Sequence, residues 1–398
     1  MSAAAGEELR FGRSTGERAA MFAVFVGNGI GFGAWAGNIP RVKEAAGLGD
    51  ASLGLVLLGL SVGAVAAMPV AGRYGARLGT GRVCWMAGLL VAVALVLPGL
   101  AVMMPMGGWL ALLASAGLLG ASLGIMDVCM NTHAAWVERR CGAAIMSSFH
   151  AGWSVGQLLG AGLAGVLAWA GLGLLPALAW SGAAVALGGL GGLALPGGAE
   201  VERGPERGGG MRFALPGRAL LVLCALVAAS FAIEGGTADW SGVFLRTVLG
   251  VPARLASVPL GVFAGSMVVM RLGGDWLVRR FGAGRVVSWG GVLAGLGIAV
   301  ALVSPGMWGA TAGFALVGVG VANIVPVVFS AAGRRGTAGV ATVATAGYGA
   351  VMATPPLIGF VSEGFGLRAG LLVLVGAACV VGVLGRAVAG GEEQRGCP

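Results

Sequence analysis

The sequence predicts an all-α membrane protein with twelve transmembrane helices in two pseudo-symmetric six-helix bundles. Three observations predict this fold: an apolar composition, the recurrence of long apolar runs and an internal repeat. Of the 398 residues, 57% are hydrophobic and only 10% are charged, whereas soluble domains carry about 25% charged residues. A chain of this composition is expected to lie in a lipid bilayer.

Apolar runs long enough to cross a bilayer recur along most of the chain. A helix needs about 20 residues to cross a hydrocarbon core about 30 Å thick. Twelve runs meet that length, six in each half of the sequence, which predicts the helix count. The predicted spans are 18–40, 51–71, 83–104, 107–131, 143–168, 171–195, 218–241, 253–271, 286–304, 307–329, 338–361 and 366–388.

An internal repeat relates the two halves. RLGTGRV (Arg77 to Val83) and RFGAGRV (Arg280 to Val286) match at five of seven positions. Upstream, AWAGNIPR (Ala34 to Arg41) and DWSGVFLR (Asp239 to Arg246) share a Trp, a Gly and an Arg in the same order. Repeated segments in one order at nearly one offset indicate an internal duplication.

The distribution of basic residues predicts the orientation, because Lys and Arg in short loops stay on the cytoplasmic side. Twenty arginines fall in the predicted cytoplasmic segments and five basic residues in the outer loops, so both termini are expected in the cytoplasm. The net charge of +9 then reflects topology and does not indicate nucleic-acid binding. The predicted organisation is a cytoplasmic tail (1–17), an N-terminal six-helix bundle (18–195), a cytoplasmic linker (196–217), a C-terminal six-helix bundle (218–388) and a cytoplasmic tail (389–398).

The sequence lacks the patterns of an enzyme. The six cysteines are scattered without CxxC spacing, so no disulfide framework or metal site is expected. Lys43 is the only lysine and is followed by Glu44, which excludes a phosphate-binding GK[ST] loop. No HExxH motif occurs. We expect no catalytic residue, no metal and no cofactor.

The repeated loops carry a family resemblance. GRYGARLGTGR from Gly72 and RLGGDWLVRRFGAGR from Arg271 resemble the signature G-x-x-x-D-R-x-G-R-R of the major facilitator superfamily. Ala76 stands where the first loop should have its acid, whereas the second loop keeps Asp275. The resemblance implies a cytoplasmic gate, more complete in the second half; the alternative is that the arginines only set the topology. The gate residues are Arg77, Arg82, Asp275, Arg279, Arg280 and Arg285.

A narrower resemblance comes from GIMDVCMN (124–131) and SSFHAGWSVGQLLGA (147–161). Both are similar to the fucose-permease branch and its uncharacterised bacterial inner-membrane relatives. This implies a bacterial inner-membrane protein whose Asp127, with Asn131 one turn on, belongs to a solute and proton site. The permease has Glu where Asp127 stands, and its acid in the first helix has no counterpart near Ala36.

Charged residues within spans cost a few kcal/mol even on lenient scales, so they suggest function. Asp127 and Asn131 share a helix face; pairing of Asp127 with Arg139 or a neighbouring arginine is the structural alternative. Glu234 precedes Gly235 and Gly236, which predict a local helix break that lines a cavity. The substrate- and proton-binding candidates are Asp127, Asn131, Glu234, His150, Asn28, Asn38, Asn323 and Asp239.

Several candidates have a structural alternative. Asp239 lies near the outer end of its span, where an interfacial role is favoured. His150, about two turns into the fifth span, makes either a lumenal contact or a backbone bond, and His133 is expected to be solvated. The paired Trp35 and Trp240 are expected to anchor at the membrane interface rather than flank a substrate.

Glycines spaced four residues apart, from Gly29 to Gly37 and from Gly152 to Gly160, predict close helix packing.

Together the observations favour a proton-coupled secondary transporter working by alternating access, with uptake of a sugar-like or other small polar solute preferred. The alternatives are efflux by proton antiport and a non-transporting receptor or scaffold of the same fold. The expected partners are a small-molecule substrate, protons and the bilayer, without nucleic acid, and the expected state is a monomer.

Overall fold

The computed structural model describes residues 2–104, 108–141, 145–195 and 217–391. Within these ranges the chain forms helices joined by short turns, without a β-strand. The first half comprises α1 Ser2–Ala45, α2 Asp50–Leu78, α3 Thr80–Ala101, α4 Gly108–Cys141, α5 Met146–Trp169 and α6 Leu174–Gly189. The second half comprises α7 Arg218–Thr247, α8 Val258–Leu272, α9 Gly274–Phe281, α10 Ala283–Val303, α11 Met307–Val321, α12 Ile324–Gly333, α13 Gly336–Phe365 and α14 Leu367–Leu384. Short 3₁₀ turns occupy Leu190–Ala194, Ala253–Leu255 and Gly385–Gly391.

The all-α membrane fold is confirmed. Within the described ranges, eleven segments are long and apolar enough to cross a bilayer, and the remaining predicted span, 338–361, lies in α13. Several helices extend beyond the predicted apolar runs: α4 continues to Cys141, ten residues past its predicted end. Hydropathy marks the apolar part of a helix, while the backbone hydrogen bonds continue into the polar part. The predicted linker lies, up to residue 216, outside the described residues.

The tenth predicted span, 307–329, is broken in the structure into α11 and α12. Pro326 accounts for the break. A proline lacks the N–H that would bond to the carbonyl four residues earlier, and its ring crowds that carbonyl. The affected carbonyl belongs to Ala322, and the helix restarts at Ile324 after Asn323.

The repeated loops adopt the same backbone conformation. Gly79, which caps the start of α3, has φ 86° and ψ 134°, and Gly282, which caps the start of α10, has φ 83° and ψ 147°. Residues other than glycine rarely adopt a positive φ. The internal repeat therefore preserves the turn before the third predicted span of each half.

The helices pack into two compact units. Unit 1 comprises Met1–Asn38 and Gly59–Gly210, and unit 2 comprises Ile39–Leu58 and Met211–Pro398. The tip of the α1–α2 hairpin thus belongs to the unit formed by the second half of the sequence.

In unit 1, the glycine faces for which the sequence predicts close packing are those through which α1 and α5 contact each other. A Cβ atom placed on Gly29 would lie 2.1 Å from the Trp153 carbonyl oxygen, and one on Gly33 would lie 2.2 Å from that of Gln157. On the facing helix, a Cβ on Gly156 would lie 2.2 Å from the carbonyl oxygen of Val26. Only glycine permits this approach.

The start of α5 is held by the end of α4. The carboxylate oxygen Oε2 of Glu138 accepts hydrogen bonds from the N–H groups of Ile145, at 2.8 Å, and Met146, at 2.7 Å. The first N–H groups of a helix have no partner within it. A carboxylate at this end is also attracted by the partial positive charge of the helix dipole. Glu138 therefore caps α5 from a neighbouring helix.

In unit 2, polar contacts fasten the α1–α2 hairpin. Lys43 pairs with Asp50 at 2.6 Å, and Glu44 pairs with Arg246 of α7 at 2.6 Å. The N–H of Ala51 donates to a carboxylate oxygen of Glu363 in α13 at 3.1 Å. These contacts attach the first turn of α2 and the last turn of α1 to α7 and α13.

Candidate functional site

The first candidate cluster lies on α4 in unit 1. Nδ2 of Asn131 donates to the backbone carbonyl of Asp127 at 2.9 Å and to its carboxylate at 3.1 Å. Both side chains are partly exposed. Within the described residues no arginine lies within 4.0 Å of Asp127, and Arg140 instead pairs with Glu17 at 3.2 Å. The alternative of an Asp127–arginine pair is therefore wrong, and the carboxylate has a neutral amide as its hydrogen-bond partner.

A second polar contact in unit 1 joins α1, α4 and α5. The indole N–H of Trp153 donates to the side-chain oxygen of Asn28 at 2.9 Å, and Nδ2 of Asn28 donates to the Leu123 carbonyl at 3.3 Å. Trp153 was missed as a site residue, although it lies in the α5 motif. Asn38 donates to the Ala34 carbonyl of its own helix at 2.8 Å and is fully buried.

The two histidines differ from expectation. His150 is exposed and lies one turn into α5, because the helix starts at Met146, and its ring contacts that of Phe25 at 5.5 Å. His133 is not solvated: it is fully buried, and its Nδ1 lies 2.7 Å from the hydroxyl of Thr80. No described residue bonds to its Nε2. The prediction failed because α4 continues as a packed helix past the apolar run.

In unit 2, Glu234 lies on an unbroken α7. The expected break at Gly235 and Gly236 is wrong, since the helix runs from Arg218 to Thr247. Gly236 packs against α13 and α14; a Cβ atom there would lie 2.6 Å from a methyl carbon of Leu374. Tertiary packing thus offsets the low helix propensity of the two glycines.

Glu234 has a basic partner that the sequence did not indicate. Its Oε2 lies 3.7 Å from Nη2 of Arg271 in the last turn of α8, and the Ser230 hydroxyl approaches its Oε1 at 3.5 Å. Arg271 begins the second repeated loop motif, which was expected on the cytoplasmic side. The side chains of Glu234 and Arg271 are 19% and 17% exposed, so this charged pair is accessible within unit 2.

Arg271 also contacts the break between α11 and α12. Its Nε donates to the carbonyl of Ala322 at 3.3 Å, the carbonyl that Pro326 leaves without a helical donor. Nδ2 of the adjacent Asn323 donates to the Met270 carbonyl at 3.3 Å. Asn323 therefore holds α8 against the broken helix, and Pro326 was the sequence signal that could have revealed this site.

A polar face extends along α7 through Ser230, Glu234, Thr237 and Ser241, which lie at helical spacings of four, three and four. Thr237 and Ser241 are fully buried, and no described residue bonds to either hydroxyl. Asp239 lies off this face and is partly exposed. Polar groups therefore follow one side of α7 from Ser230 to Ser241.

The paired tryptophans are not interface anchors. Trp35 and Trp240 are both fully buried, and no described group accepts a hydrogen bond from either indole N–H. An anchoring tryptophan would be exposed to the lipid headgroups. Both tryptophans of the repeat are buried, so the two halves of the chain share the burial of this ring as well as its sequence position.

The predicted gate residues lie around the two repeated turns. Arg77, Arg82, Arg279, Arg280 and Arg285 are all exposed, and Asp275 lies in the first turn of α9. Within the described residues none of these arginines has a carboxylate within 4.0 Å. In unit 2 a cavity of about 260 Å³ is lined by Gly274, Asp275, Arg279, Asn323, Ser330 and Arg334, among others.

The site chemistry is that of binding. Among the described residues, no group of three His, Cys, Asp or Glu side chains could share a metal ion. Carboxylates, amides and one arginine on apolar spanning helices can bind a polar solute or accept a proton. Such helices and side chains are those of a multi-pass membrane transporter.

The chain belongs to the Major Facilitator Superfamily, whose family model matches residues 21–346. It is 37% identical over 362 residues to an uncharacterised MFS-type transporter of Yersinia pestis, covering 88% of this chain and 91% of that protein. It is 31% identical over 370 residues to the membrane protein MosC of Rhizobium meliloti, covering 91% of this chain and 88% of MosC. The superfamily predicted from the repeated loops is confirmed, and the narrower branch stays a prediction.

Solved structures share the fold. The nucleoside transporter NupG, in a mutant form, has a TM-score of 0.73 at 16% identity, covering 93% of this chain and 99% of NupG. A bacterial homologue of the human lysosomal transporter Spinster has a TM-score of 0.62 at 15% identity, covering 94% of this chain and 97% of that one. At these identities the likeness concerns the fold.

Proposed function

We propose that this protein is a proton-coupled secondary transporter that works by alternating access and takes up a sugar-like or other small polar solute. The observation that carries the proposal is the position of Asp127 and Glu234 within apolar helices. Each carboxylate is partly accessible and has a hydrogen-bonding side chain one helical turn away. A scaffold of the same fold has no need for such costly groups.

The candidate residues divide between two roles. Asp127 with Asn131, and Glu234 on its polar face, bind solute and protons, and Asn28, Asn38, Asn323, His150 and Asp239 provide further polar groups. The charged residues of the repeated loops act as the cytoplasmic gate. The inferred setting is the bacterial inner membrane, with both termini cytoplasmic, bundles at 18–195 and 218–388, and a monomeric state.

Proton-driven flux tests this proposal. A thermal-shift screen of the purified protein against sugars, organic acids and cationic drugs first selects a solute, whose uptake is then measured in proteoliposomes under a pH gradient. Asp127→Asn or Glu234→Gln should abolish the acceleration by the gradient. Glu363→Gln removes the same charge at an exposed site, keeps an oxygen that can accept the hydrogen bond from the Ala51 N–H, and should leave the flux unchanged.

Three results would contradict the proposal. Intact gradient-driven flux in both Asp127→Asn and Glu234→Gln would refute the assignment of the coupling residues. Solute movement against the direction of proton flow would indicate antiport and efflux. The absence of a bound solute and of any pH-dependent flux would favour the scaffold.

A further inference from the structure

The short helix α9 lies between the predicted spans 253–271 and 286–304 and carries two different side-chain pairs. Asp275 and Arg279 are one turn apart, and both line the cavity of about 260 Å³ in unit 2. Trp276 and Arg280 are also one turn apart, on the adjacent side of the helix, and both are exposed. The helix therefore presents a basic and aromatic side in addition to the side that lines the cavity.

Three aromatic rings form a continuous row from α9 across the Gly282 turn to α10. The ring centroids of Trp276 and Phe281 are 6.1 Å apart, and those of Phe281 and Trp289 are 5.5 Å apart, with both pairs packed edge to face. This arrangement is favourable for aromatic rings, so the three rings hold one another in position. Trp276 and Trp289 are nevertheless 58% and 51% exposed. The row is thus an ordered apolar surface that remains open.

Two exposed arginines border the aromatic row. The guanidinium carbon of Arg280 lies 5.6 Å from the centroid of the Phe281 ring, within the range of a cation–π contact. Arg285 lies four residues before Trp289 and therefore on the same face of α10. Among the described residues, neither arginine has a carboxylate within 4.0 Å. Residues 274–285 contain one acid and three arginines, a net charge of +2, so this surface attracts anions.

An exposed apolar stripe continues from Trp289 along α10. Its further members follow at intervals of three, four, four and three residues, which keeps them on one face of the helix. They are Val292, Leu296, Val300 and Val303, and all are exposed. At 1.5 Å per residue the stripe is about 21 Å long, and the hydrocarbon of one leaflet is roughly 15 Å thick. A basic end followed by an apolar track of this length matches the two parts of a phospholipid.

We propose that residues 276–289 form a binding site for an anionic phospholipid. The lipid phosphate binds Arg280 and Arg285, whose planar guanidinium groups match the oxygens of a phosphate. The aromatic row contacts the glycerol region, and an acyl chain follows the stripe on α10. A soluble anion would occupy the arginines but leave the rings and the stripe uncovered, so the lipid is the occupant that uses the whole surface. The inference concerns a lipid partner of the protein and is independent of its solute.

The internal repeat supplies a comparison within the same chain. Arg280 and Arg285 correspond to Arg77 and Arg82, which are also exposed. The positions of the three aromatic residues are occupied in the first half by Arg73, Leu78 and Met86. The first turn therefore has basic residues without the aromatic row. Basic residues beside a spanning helix attract anionic lipids in general, whereas a site that depends on the row is expected only at the second turn.

Quenching of tryptophan fluorescence tests the proposal in the full-length protein reconstituted in liposomes. Phosphatidylglycerol and phosphatidylcholine, each with brominated chains, are compared at equal mole fractions, because bromine quenches a tryptophan that the lipid contacts. We expect phosphatidylglycerol to quench more strongly, with an apparent preference of about fivefold or more, since one basic residue beside anionic lipid contributes about that much. Trp276→Phe combined with Trp289→Phe keeps aromatic rings but removes the fluorophores, and it should remove the excess quenching.

Two matched double variants isolate the site. Arg280→Gln with Arg285→Gln should abolish the preference for the anionic lipid and leave quenching by phosphatidylcholine unchanged. Arg77→Gln with Arg82→Gln removes the same charges beside the equivalent turn and should keep the preference. Native mass spectrometry of the unmodified protein needs no variant: from an equimolar mixture it should retain phosphatidylglycerol in preference to phosphatidylcholine.

Four results would overturn the proposal. The first is equal quenching by the two brominated lipids, together with equal retention in the mass spectrum. The second is an equal loss of preference in the two arginine variants, which would indicate a general attraction to positive charge. The third is excess quenching that persists without Trp276 and Trp289, which would place the lipid elsewhere. The fourth is reversal of the excess by soluble glycerol 3-phosphate, which would show that the arginines bind a free phosphate ester.

Discussion

Substitution of Gly156 by alanine tests the packing of α1 on α5. A Cβ atom at this position would lie 2.2 Å from the carbonyl oxygen of Val26 and 3.0 Å from the Cα of Gly29. Both are backbone atoms, so no side-chain rotation relieves the contact. The two helices must separate by about 1 Å to restore an ordinary distance, which weakens dispersion along the whole interface.

The expected loss of stability is about 2 kcal/mol. Overpacking a close-packed interface costs about 1 to 3 kcal/mol, and the backbone contact places Gly156→Ala near the upper limit. Alanine recovers about 1 kcal/mol through its higher helix propensity. For domains of about 150 to 250 residues, 1 kcal/mol shifts Tm by about 2 to 4 °C, so Tm should fall by about 4 to 8 °C.

Thermal unfolding of the purified protein in detergent measures this change, with Gly162→Ala as the matched control. Gly162 lies on the same helix, and no atom lies within 4 Å of a Cβ built there. This control should keep its Tm or raise it slightly. A Tm for Gly156→Ala equal to that of the unmodified protein, or an equal fall in Gly162→Ala, would refute the packing argument.

Further substitutions test the cap of α5 and the acid of the second repeated loop. Glu138→Ala should cost about 2 kcal/mol, because hydrogen bonds to charged groups are worth about 1.5 to 3 kcal/mol; Glu138→Gln should recover about half, and an unchanged Tm in the alanine variant would argue against the cap. Asp275→Asn should slow solute flux severalfold in proteoliposomes, whereas Ala76→Ser should not, because only the second loop keeps its acid. Equal rates in the two loop variants would contradict an asymmetric gate.

Much of the fold could be read from local features of the sequence. Apolar runs of sufficient length become helices in a bilayer because the backbone must satisfy its own hydrogen bonds there. The repeat placed Gly79 and Gly282 at equivalent turns, and glycine spacing marked the faces of α1 and α5 that pack closely, without indicating that they pack on each other. The broken tenth span was also encoded locally, by Pro326, but hydropathy alone does not register a missing N–H.

The environments of individual polar residues were harder to predict. His133 was expected to be solvated because it lies near a polar loop, yet a hydroxyl 53 residues earlier in the chain meets its ring. Trp35 and Trp240 were expected at the membrane interface but are buried. In each case the number and rotation of neighbouring helices decide the exposure, and no local pattern records them.

The sequence by itself determined the spanning helices, their duplication and the presence of carboxylates within them, because hydropathy and backbone preference act over a few neighbouring residues. Tertiary structure decided which charges meet. From its place in the sequence, Arg271 was expected only to help set the membrane topology. The packing of α8 between α7 and the helix break at Ala322 directs it toward Glu234. An ion pair between separate helices depends on their register and rotation, which arise only when all the helices pack together.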